Sequence, residues 1–559
     1  MSDTASDTTT TGPDPRRWIT LSVLILSVII VVLDTTVLNV AIPSMLRDLD
    51  TTVPSLEWVI SGYALTLASL LIVGGRLGDL FGHRRLFVIG LILFGTGSFI
   101  AGLAPNVGLL ILGEAVIEGT GAALMVPSTL ALLSGSFQGK ERAAAFAAWG
   151  AAMGGAAAFG PVIGGFLTTN YSWRWAFGIN VVVASVAIVG AMLFIRKSEP
   201  TGDRTAIDVL GAVLVACGTF LVVFGLSQGP TYGWLRPLEA FHIADVEVWP
   251  ASMPISIVTA CFLAGVALLA LFVRVEIVKE REGRHPLFEL SQMRLPTFRY
   301  GTFTVLISQM GQLGILFCLP LFLQTSSDLT AQETGLWLLP LGIGIILGAQ
   351  IGGRLARRVG ITKVIRIGFV AEVIGVAVLI PGVQPGASFW RLLPWLMLYG
   401  AGSGMANSQI TNVVLWGIPK EKAGVAGGTN STARQLGAAL GAATLGTLLT
   451  VHTINSATAS VQAAGLPGAV TDEAVAGIRE MGANWQPPSS LTPEQAGTLN
   501  QLFDSAVATG ARWALGFAVI MLMIGGLLSL LIPQIGTDEL ADEDVPPVTD
   551  VGSLALDPA

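Results

Sequence analysis

Three carboxylates stand where carboxylates are costly. Asp34 interrupts an apolar run from Ile19 to Ile42, and Glu114 and Glu118 share a second such run at 107–133. A charge at that depth costs roughly 2.5–3.5 kcal/mol on insertion scales, so it is seldom there without a use. The chemistry on offer is that of a proton or cation site facing a polar cavity. The plainer alternative is a neutral acid hydrogen-bonded between helices. Glu114 and Glu118 are four residues apart and share one helix face. Like charges about 6 Å apart in a poor dielectric do not both ionise readily, so at least one is expected to hold a proton. Asp34 lies about eight residues from one end of its run and Glu114 about seven from the matching end of the other. At 1.5 Å per residue both fall roughly 11–12 Å below the same surface, with Glu118 one turn deeper. Arg434, about 11 residues into a run at 423–450, is the remaining charge at such depth, and it either pairs with an acid or snorkels to the nearer face. Glu372, near the start of the run at 367–383, is expected to meet loop arginines instead.

The elements that must position these groups are transmembrane helices. Of 559 residues 52% are apolar and 12% charged, and the mean hydropathy is +0.71. A soluble chain needs far more polar surface. Apolar stretches near the ~20 residues that span a bilayer recur fourteen times, from 19–42 to 511–533. With both termini cytoplasmic, that side collects 23 of the 30 Lys and Arg, against six outside and Arg434 within a helix. A missed or invented span would invert every later loop, so the asymmetry supports the even count. The expected organisation starts with a cytoplasmic tail at 1–17, a six-helix half at 18–197 and two inserted helices at 207–273. A basic cytoplasmic linker at 274–300 leads to a second six-helix half at 301–533, with an external loop at 451–510, and an acidic cytoplasmic tail at 534–559. In the external loop, Thr492-Pro493-Glu494-Gln495 reads as the start of a short helix. Cys217, Cys261 and Cys318 fall in apolar segments and read as small core residues. Gly74-Gly75-Arg76-Leu77 is echoed by Gly352-Gly353-Arg354-Leu355, as expected of transporters built from repeated halves.

Gly75-Arg76-Leu77-Gly78-Asp79-Leu80-Phe81-Gly82-His83-Arg84-Arg85 joins the second and third spans. Its glycines let two helix ends approach, Asp79 is placed to cap the third helix, and its cations hold the loop on the cytoplasmic side. In the fifth span Trp149-Gly150, Gly154-Gly155 and Gly160-Pro161-Val162-Ile163-Gly164-Gly165 set small residues four apart for close helix contact, with a proline that permits a bend.

The first of these segments resembles the loop 2–3 signature of the major facilitator superfamily, and the second resembles the antiporter motif of its proton-driven drug exporters. Leu33-Asp34-Thr35-Thr36-Val37-Leu38-Asn39-Val40-Ala41-Ile42-Pro43 and Ser172-Trp173-Arg174-Trp175-Ala176-Phe177-Gly178-Ile179-Asn180 are similar to the first- and sixth-helix motifs of the fourteen-span drug:proton antiporters. Gly427-Gly428 and Arg434-Gln435-Leu436-Gly437 extend the likeness into the C-terminal half. The resemblance implies an all-α polytopic membrane protein with the major facilitator fold, two six-helix halves plus two inserted helices. It implies that Gly75, Arg76, Asp79, Gly82, Arg84 and Arg85 latch the halves in the outward-facing state, and that Gly160, Pro161, Gly164 and Gly165 help seal them against proton leak. It also implies that spans 1 and 4 line the central cavity, where Asp34, Asn39, Glu114, Glu118 and Arg434 would form the proton and substrate site. Two departures stand out. His83 replaces an arginine, and in the fourth span Ala115 and Glu118 replace the family's Arg and Gln, trading a cation for a carboxylate.

The expected function is a proton-coupled exporter of amphipathic small molecules, drugs or antibiotics, in the plasma membrane of a prokaryote. The proton motive force would replace any cofactor, and no metal is expected. The expected partners are a small organic substrate, protons and the bilayer, with no nucleic acid, and the expected state is a monomer. The alternatives are a dedicated exporter of an endogenous metabolite or lipid, and more remotely a membrane-embedded transferase or a scaffold. Against an enzyme, His83, His242, His285 and His452 are scattered in loops and form no His–acid constellation. No phosphate-binding loop points to an ATP-driven pump.

Overall fold

A computed structural model of the chain describes residues 15–49, 51, 53–196, 208–243, 246–284, 286–326, 329–481, 485, 487 and 491–535. Most of the two expected terminal tails therefore lies outside the described residues.

Unbroken apolar sequence makes helices here, because a backbone in lipid must satisfy its own hydrogen bonds. The helices are α1 Arg17–Asp48, α2 Val53–Phe81, α3 His83–Gly102 and α4 Val107–Ile111, which runs through a π-helical turn at Leu112–Glu118 into α5 Gly119–Ser136. Then follow α6 Gly139–Asn170, α7 Arg174–Phe194, α8 Val209–Tyr232, α9 Ile257–Arg281, α10 Pro296–Ser326, α11 Ala331–Val359 and α12 Ile361–Leu379. The chain ends with α13 Phe389–Val414, α14 Ala423–Ala463, α15 Gly468–Met481 and α16 Pro493–Ser529. Between α8 and α9 an antiparallel hairpin pairs β1 Phe241–Ile243 with β2 Val246–Trp249. Side-chain caps fix several starts. Asn106 accepts the Leu109 N–H at 2.9 Å, and Thr330 and Glu333 form a capping box on α11.

Among the described residues eleven helices are long and apolar enough to cross a membrane, and α6, bent by 42° between Ala157 and Val162, makes twelve. A glycine–proline pair at 160–161 is the sequence cause of such a bend. α10 and α13 are the other two long helices. α13 carries Arg391, Ser403, Asn407 and Gln409, which lower its mean hydropathy, and α10 runs through positions 313, 314 and 317, whose side chains lie outside the described residues. The expected count of fourteen spans therefore exceeds the eleven or twelve that meet the apolar standard.

α1 to α7 pack on one another, as do α10 to α14 with α16, and the two groups meet along α6 with α11 and α2 with α14. α8 and α9 pair with each other, and α8 lies against both α2 and α14, so the inserted pair bridges the seam through α8. Trp58, Phe224, Phe241 and Tyr232 form the aromatic contact there. Asp208 ties this pair to the following linker. It accepts the Gly211 N–H at 2.7 Å, the Leu287 N–H at 3.2 Å and Lys279 Nζ at 2.5 Å. Burial pushes the Asp208 carboxyl up, but Lys279 and the Gly211 N–H outweigh it and hold it below the usual carboxylate range.

Three expectations need correcting. The segment 451–510 is mostly helix. α14 continues to Ala463, and Thr492–Gln495 does form a capping box, but it starts the long α16 rather than a short separate helix. With α15 these extensions enclose a core of Ile478, Trp485, Leu499 and Phe503. Of the three cysteines only Cys318 is buried, while Cys217 is exposed. Trp173 and Trp175 stand at the mouth of the sixth span, a place that suits an interfacial aromatic belt, but only Trp175 is exposed; Trp173 is buried and donates to Asp48 Oδ2 at 3.0 Å.

Candidate functional site

The three carboxylates that sequence places at one depth converge. α1 supplies Asp34, and the π-helical turn between α4 and α5 supplies Glu114 and Glu118. Such single π turns inside α-helices are frequent at functional sites. The turn packs so closely on α3 that a Cβ on Gly97 would stand 2.6 Å from the Glu118 nitrogen, and one on Gly113 2.8 Å from the Ala101 nitrogen. Glycine at 97 and 113 is what permits the contact, and it brings the next residue, Ser98, to Glu118.

One carboxyl oxygen from each of Asp34, Glu114 and Glu118 lies within 4.8 Å of the others. Asp34 is 4% exposed and both glutamates 0%. Asn180 on α7 bridges the group, its Nδ2 donating to Asp34 Oδ1 at 2.8 Å and to Glu118 Oε1 at 3.3 Å. Ser98 Oγ donates to Glu118 Oε2 at 2.7 Å. Glu114 differs: no N–H or O–H donor among the described residues reaches either of its oxygens. A proton shared with a neighbouring carboxyl, or a bound cation, would satisfy it. Tyr63 on α2, its hydroxyl buried and without a partner among the described residues, lies in the electrostatic field of all three acids.

No Lys, Arg or His among the described residues forms a salt bridge to these carboxyls. Three like charges this close in a dry interior repel strongly, so the cluster is built to hold something positive. Its all-oxygen donors suit protons, an organic cation or a hard metal ion, and not a soft metal.

An apolar cavity of about 410 Å³ runs between α1, α6 and α11, lined among others by Leu33, Gly155, Phe159 and Ile346; none of the three acids lines it. That volume falls in the range of small-molecule pockets. The cavity touches both helix groups, since Ile346 belongs to α11.

The other expected site residues are placed elsewhere. Arg434 neither pairs with an acid nor snorkels. Its Nη1 donates to Asn407 Oδ1 at 3.0 Å and its Nη2 to Thr411 Oγ1 at 3.2 Å, both on α13. The side chains of Asn39 and Pro161 lie outside the described residues. Asp79 does not cap α3, whose N-cap is Gly82 with φ 92°. It reaches across to the other helix group and accepts the Gly424 and Val425 N–H at 3.0 and 3.1 Å, at the N-terminus of α14. His83 Nε2 stands 3.0 Å from the same carboxylate. A side chain on Gly75 would overlap the Gly424 carbonyl. Arg142 to the Leu415 carbonyl, 3.0 Å, is a second tie between the groups at this end. Arg84 instead binds the Met192 carbonyl at 2.7 Å, and Arg76 and Arg85 form no ion pair across the seam among the described residues. On α6, a side chain on Gly154 would overlap Ile345 of α11, one on Gly160 would overlap Thr36 of α1, and a Cβ on Gly164 would stand 3.0 Å from Val37. Gly165 lies on the same helix.

Sequence reasoning passed over Asn180, Ser98 and Tyr63 as site residues. Asn180 carried a signal, a polar residue in an otherwise apolar helix, while Ser98 and Tyr63 carried none. Glu372 was misplaced: it meets no loop arginine but is 0% exposed and accepts from Gln312 Nε2 at 2.9 Å.

A bundle of apolar helices with buried carboxyls at its centre and an inter-group seam of glycines defines a polytopic membrane transporter. The profile of the Major Facilitator Superfamily matches residues 24–442, and the chain belongs to that family. It is 33% identical over 533 residues to the "Probable actinorhodin transporter" of Streptomyces coelicolor, covering 91% of this chain and 88% of that one. It is 35% identical to a puromycin resistance protein of Streptomyces alboniger, covering 78% and 83%. It is 30% identical to the tetracenomycin C resistance and export protein of Streptomyces glaucescens, covering 96% of each. Among solved structures, the human organic anion transporter TETRAN superposes with a TM-score of 0.56 at 12% identity, covering 92% of this chain and 100% of that one. A proton:xylose symporter superposes with 0.54 at 13%, covering 94% and 98%. At such identities these likenesses speak for the fold alone, and the fold is that of the major facilitators.

Proposed function

We propose that the protein is a secondary exporter of amphipathic small molecules, drugs or antibiotics, driven by protons that exchange with substrate on Asp34, Glu114 and Glu118. The observation that carries this reading is three buried carboxyls with one oxygen each inside 4.8 Å and no resident cation among the described residues. Protons or a cationic substrate must then supply the positive charge, and the two compete for the same oxygens. The apolar cavity beside Leu33 would take the hydrophobic body of the substrate. Asp79 holds α14 from the end of α2, so its release would let the two helix groups part at that end. On this reading the end is cytoplasmic, fourteen spans carry both termini inside the plasma membrane, and the monomer needs no cofactor. Relatives named for resistance to, or export of, a single antibiotic favour a second reading within the same class, an exporter dedicated to one compound.

Proteoliposomes with an imposed pH gradient test the main reading. Ethidium should move against the proton flow, and a protonophore should stop it. Movement indifferent to the gradient would reject proton coupling. Cysteine labelling tests the orientation: position 480 should react from outside and position 285 only from inside.

A further inference from the structure

A second buried carboxyl lies far from the first cluster in the fold, and the proposed exchange makes no use of it. Glu372 on α12 accepts from Gln312 Nε2 of α10 at 2.9 Å, and its other oxygen has no hydrogen-bond partner among the described residues. Gln312 Oε1 accepts from Asn407 Nδ2 of α13 at 2.9 Å. Asn407 Oδ1 accepts from Arg434 Nη1 of α14 at 3.0 Å. Four helices thus contribute one link each to a chain that runs Arg434, Asn407, Gln312, Glu372.

The direction of that chain is dictated by chemistry. A guanidinium can only donate, so Asn407 must turn its oxygen to Arg434 and its nitrogen to Gln312. Gln312 must then turn its own nitrogen to Glu372. Every N–H points away from the cation and toward the carboxyl, an arrangement suited to an ionised Glu372. Hydrogen bonds aligned in this way reinforce one another.

The geometry points to Glu372 as a second proton-binding site, one whose occupancy is signalled to Arg434 by the two amides. A proton taken up by Glu372, whose second oxygen is open to it, leaves the oxygen facing Gln312 a neutral acceptor. The Gln312 bond then loses its charge assistance, and the aligned bonds through Asn407 to Arg434 lose the anion that reinforces them. The proton stays on Glu372 as O–H, and the amides pass no proton along. The tie of Arg434 to Asn407 is thereby weaker when Glu372 is neutral and stronger when it is charged, while Thr411 keeps its own bond to Nη2. This goes beyond exchange at Asp34, Glu114 and Glu118, and it needs no substrate.

Few other groups can interfere. Tyr399 on α13 is the titratable neighbour, its hydroxyl donating to the Gln312 carbonyl at 3.5 Å. Ser403 on α13 adds an uncharged hydroxyl beside Glu372. From α11 and α16, which also pack on α12, residues 334–353 and 513–529 bring no ionisable side chain. Arg366, on α12 itself, is turned to the Leu530 and Ile532 carbonyls.

The test is pH-difference infrared spectroscopy on the full-length protein in liposomes, without substrate or gradient, so that its outcome is independent of whether protons drive export. A protonated-carboxyl band should titrate and be lost in Glu372→Gln, which keeps the acceptor for Gln312. In Asn407→Leu and in Arg434→Gln the same band should persist to a pH higher by about one unit, the size of a lost charge–carboxyl interaction. Glu372→Asp, which should displace the band without removing it, guards against loss of fold in the glutamine variant. No band assignable to residue 372 would overturn the site. A band that ignores both Asn407→Leu and Arg434→Gln would overturn the relay.

Discussion

Glu118 and Glu372 are seated alike and partnered in opposite ways. Each is 0% exposed. Each has its backbone nitrogen against a glycine of the facing helix, where a Cβ on Gly97 or on Gly402 would stand 2.6 Å away. In each case the serine next to that glycine, Ser98 or Ser403, bears on the carboxyl. The helices trade roles: the glutamate sits on the π turn before α5 and the glycine on α3 in one group, the glutamate on α12 and the glycine on α13 in the other. Beyond the seat the two sites diverge. Glu118 is surrounded by further acids, and Glu372 is joined through two amides to Arg434. A glycine–serine step therefore buries a carboxyl between helices, and what lies next to it decides how the charge is met. Around Glu118 the positive charge must arrive from outside as protons or substrate. Around Glu372 the protein carries its own cation.

The largest consequence is expected at Asp34. Asp34→Asn keeps an acceptor for Asn180 but removes an ionisable group, and proton-driven export of ethidium should fall by about 100-fold or more, at every pH. If that variant moves monovalent cations at wild-type rates, the acids are structural and the contrast between the two sites collapses. Glu118→Gln should lose roughly 10-fold and shift its pH dependence, because one of three exchangeable carboxyls is gone. Glu114→Gln should be milder still if a shared proton already keeps Glu114 neutral. Asp79→Asn separates both sites from the machinery that moves them. It weakens a helix cap worth about 1 kcal/mol, roughly 5-fold. Turnover should slow by that order while ethidium binding at equilibrium changes by less than about 2-fold. A large loss of affinity would place Asp79 in the binding site and not in the tie between the helix groups.

Height in the membrane was legible in the sequence, and azimuth was not. Counting residues from the ends of two apolar runs put Asp34 and Glu114 at one level, because rise per residue is fixed, and the helices do bring them together. Nothing in a single sequence says which way a side chain points around its helix. So Arg434 was left between an acid and the membrane face, when it bonds amide and hydroxyl groups on α13. Glu372 was assigned to loop arginines by its position along the chain, when it turns inward to Gln312. Asp79 was read against its own next helix, the local choice, when its partner is 345 residues away at Gly424. The end of α14 was misjudged for another reason. Polar sequence after residue 450 stops a membrane span but does not stop a helix, which needs a cap or a breaker, and the first positive-φ glycine past α14 is Gly465.

The smallest expected effect is also the sharpest test of the contrast. Ser98 Oγ donates to Glu118 Oε2 at 2.7 Å, whereas Ser403 accepts from Asn407 Nδ2 at 3.1 Å beside a carboxyl already held by Gln312. Ser98→Ala removes one of two donors to Glu118, a loss of about 1 kcal/mol, so the pH optimum of export should move by roughly half a unit to one unit. Ser403→Ala takes a hydroxyl from beside Glu372 but leaves the chain from Arg434 intact, and because the proposed exchange does not run through Glu372 the optimum should stay within about 0.2 unit. Both are small substitutions in close-packed helices, so their general cost to stability should be similar and the difference between them isolates the electrostatics. Equal shifts in the two variants would mean that the seat alone, and not the neighbouring charge, governs each glutamate.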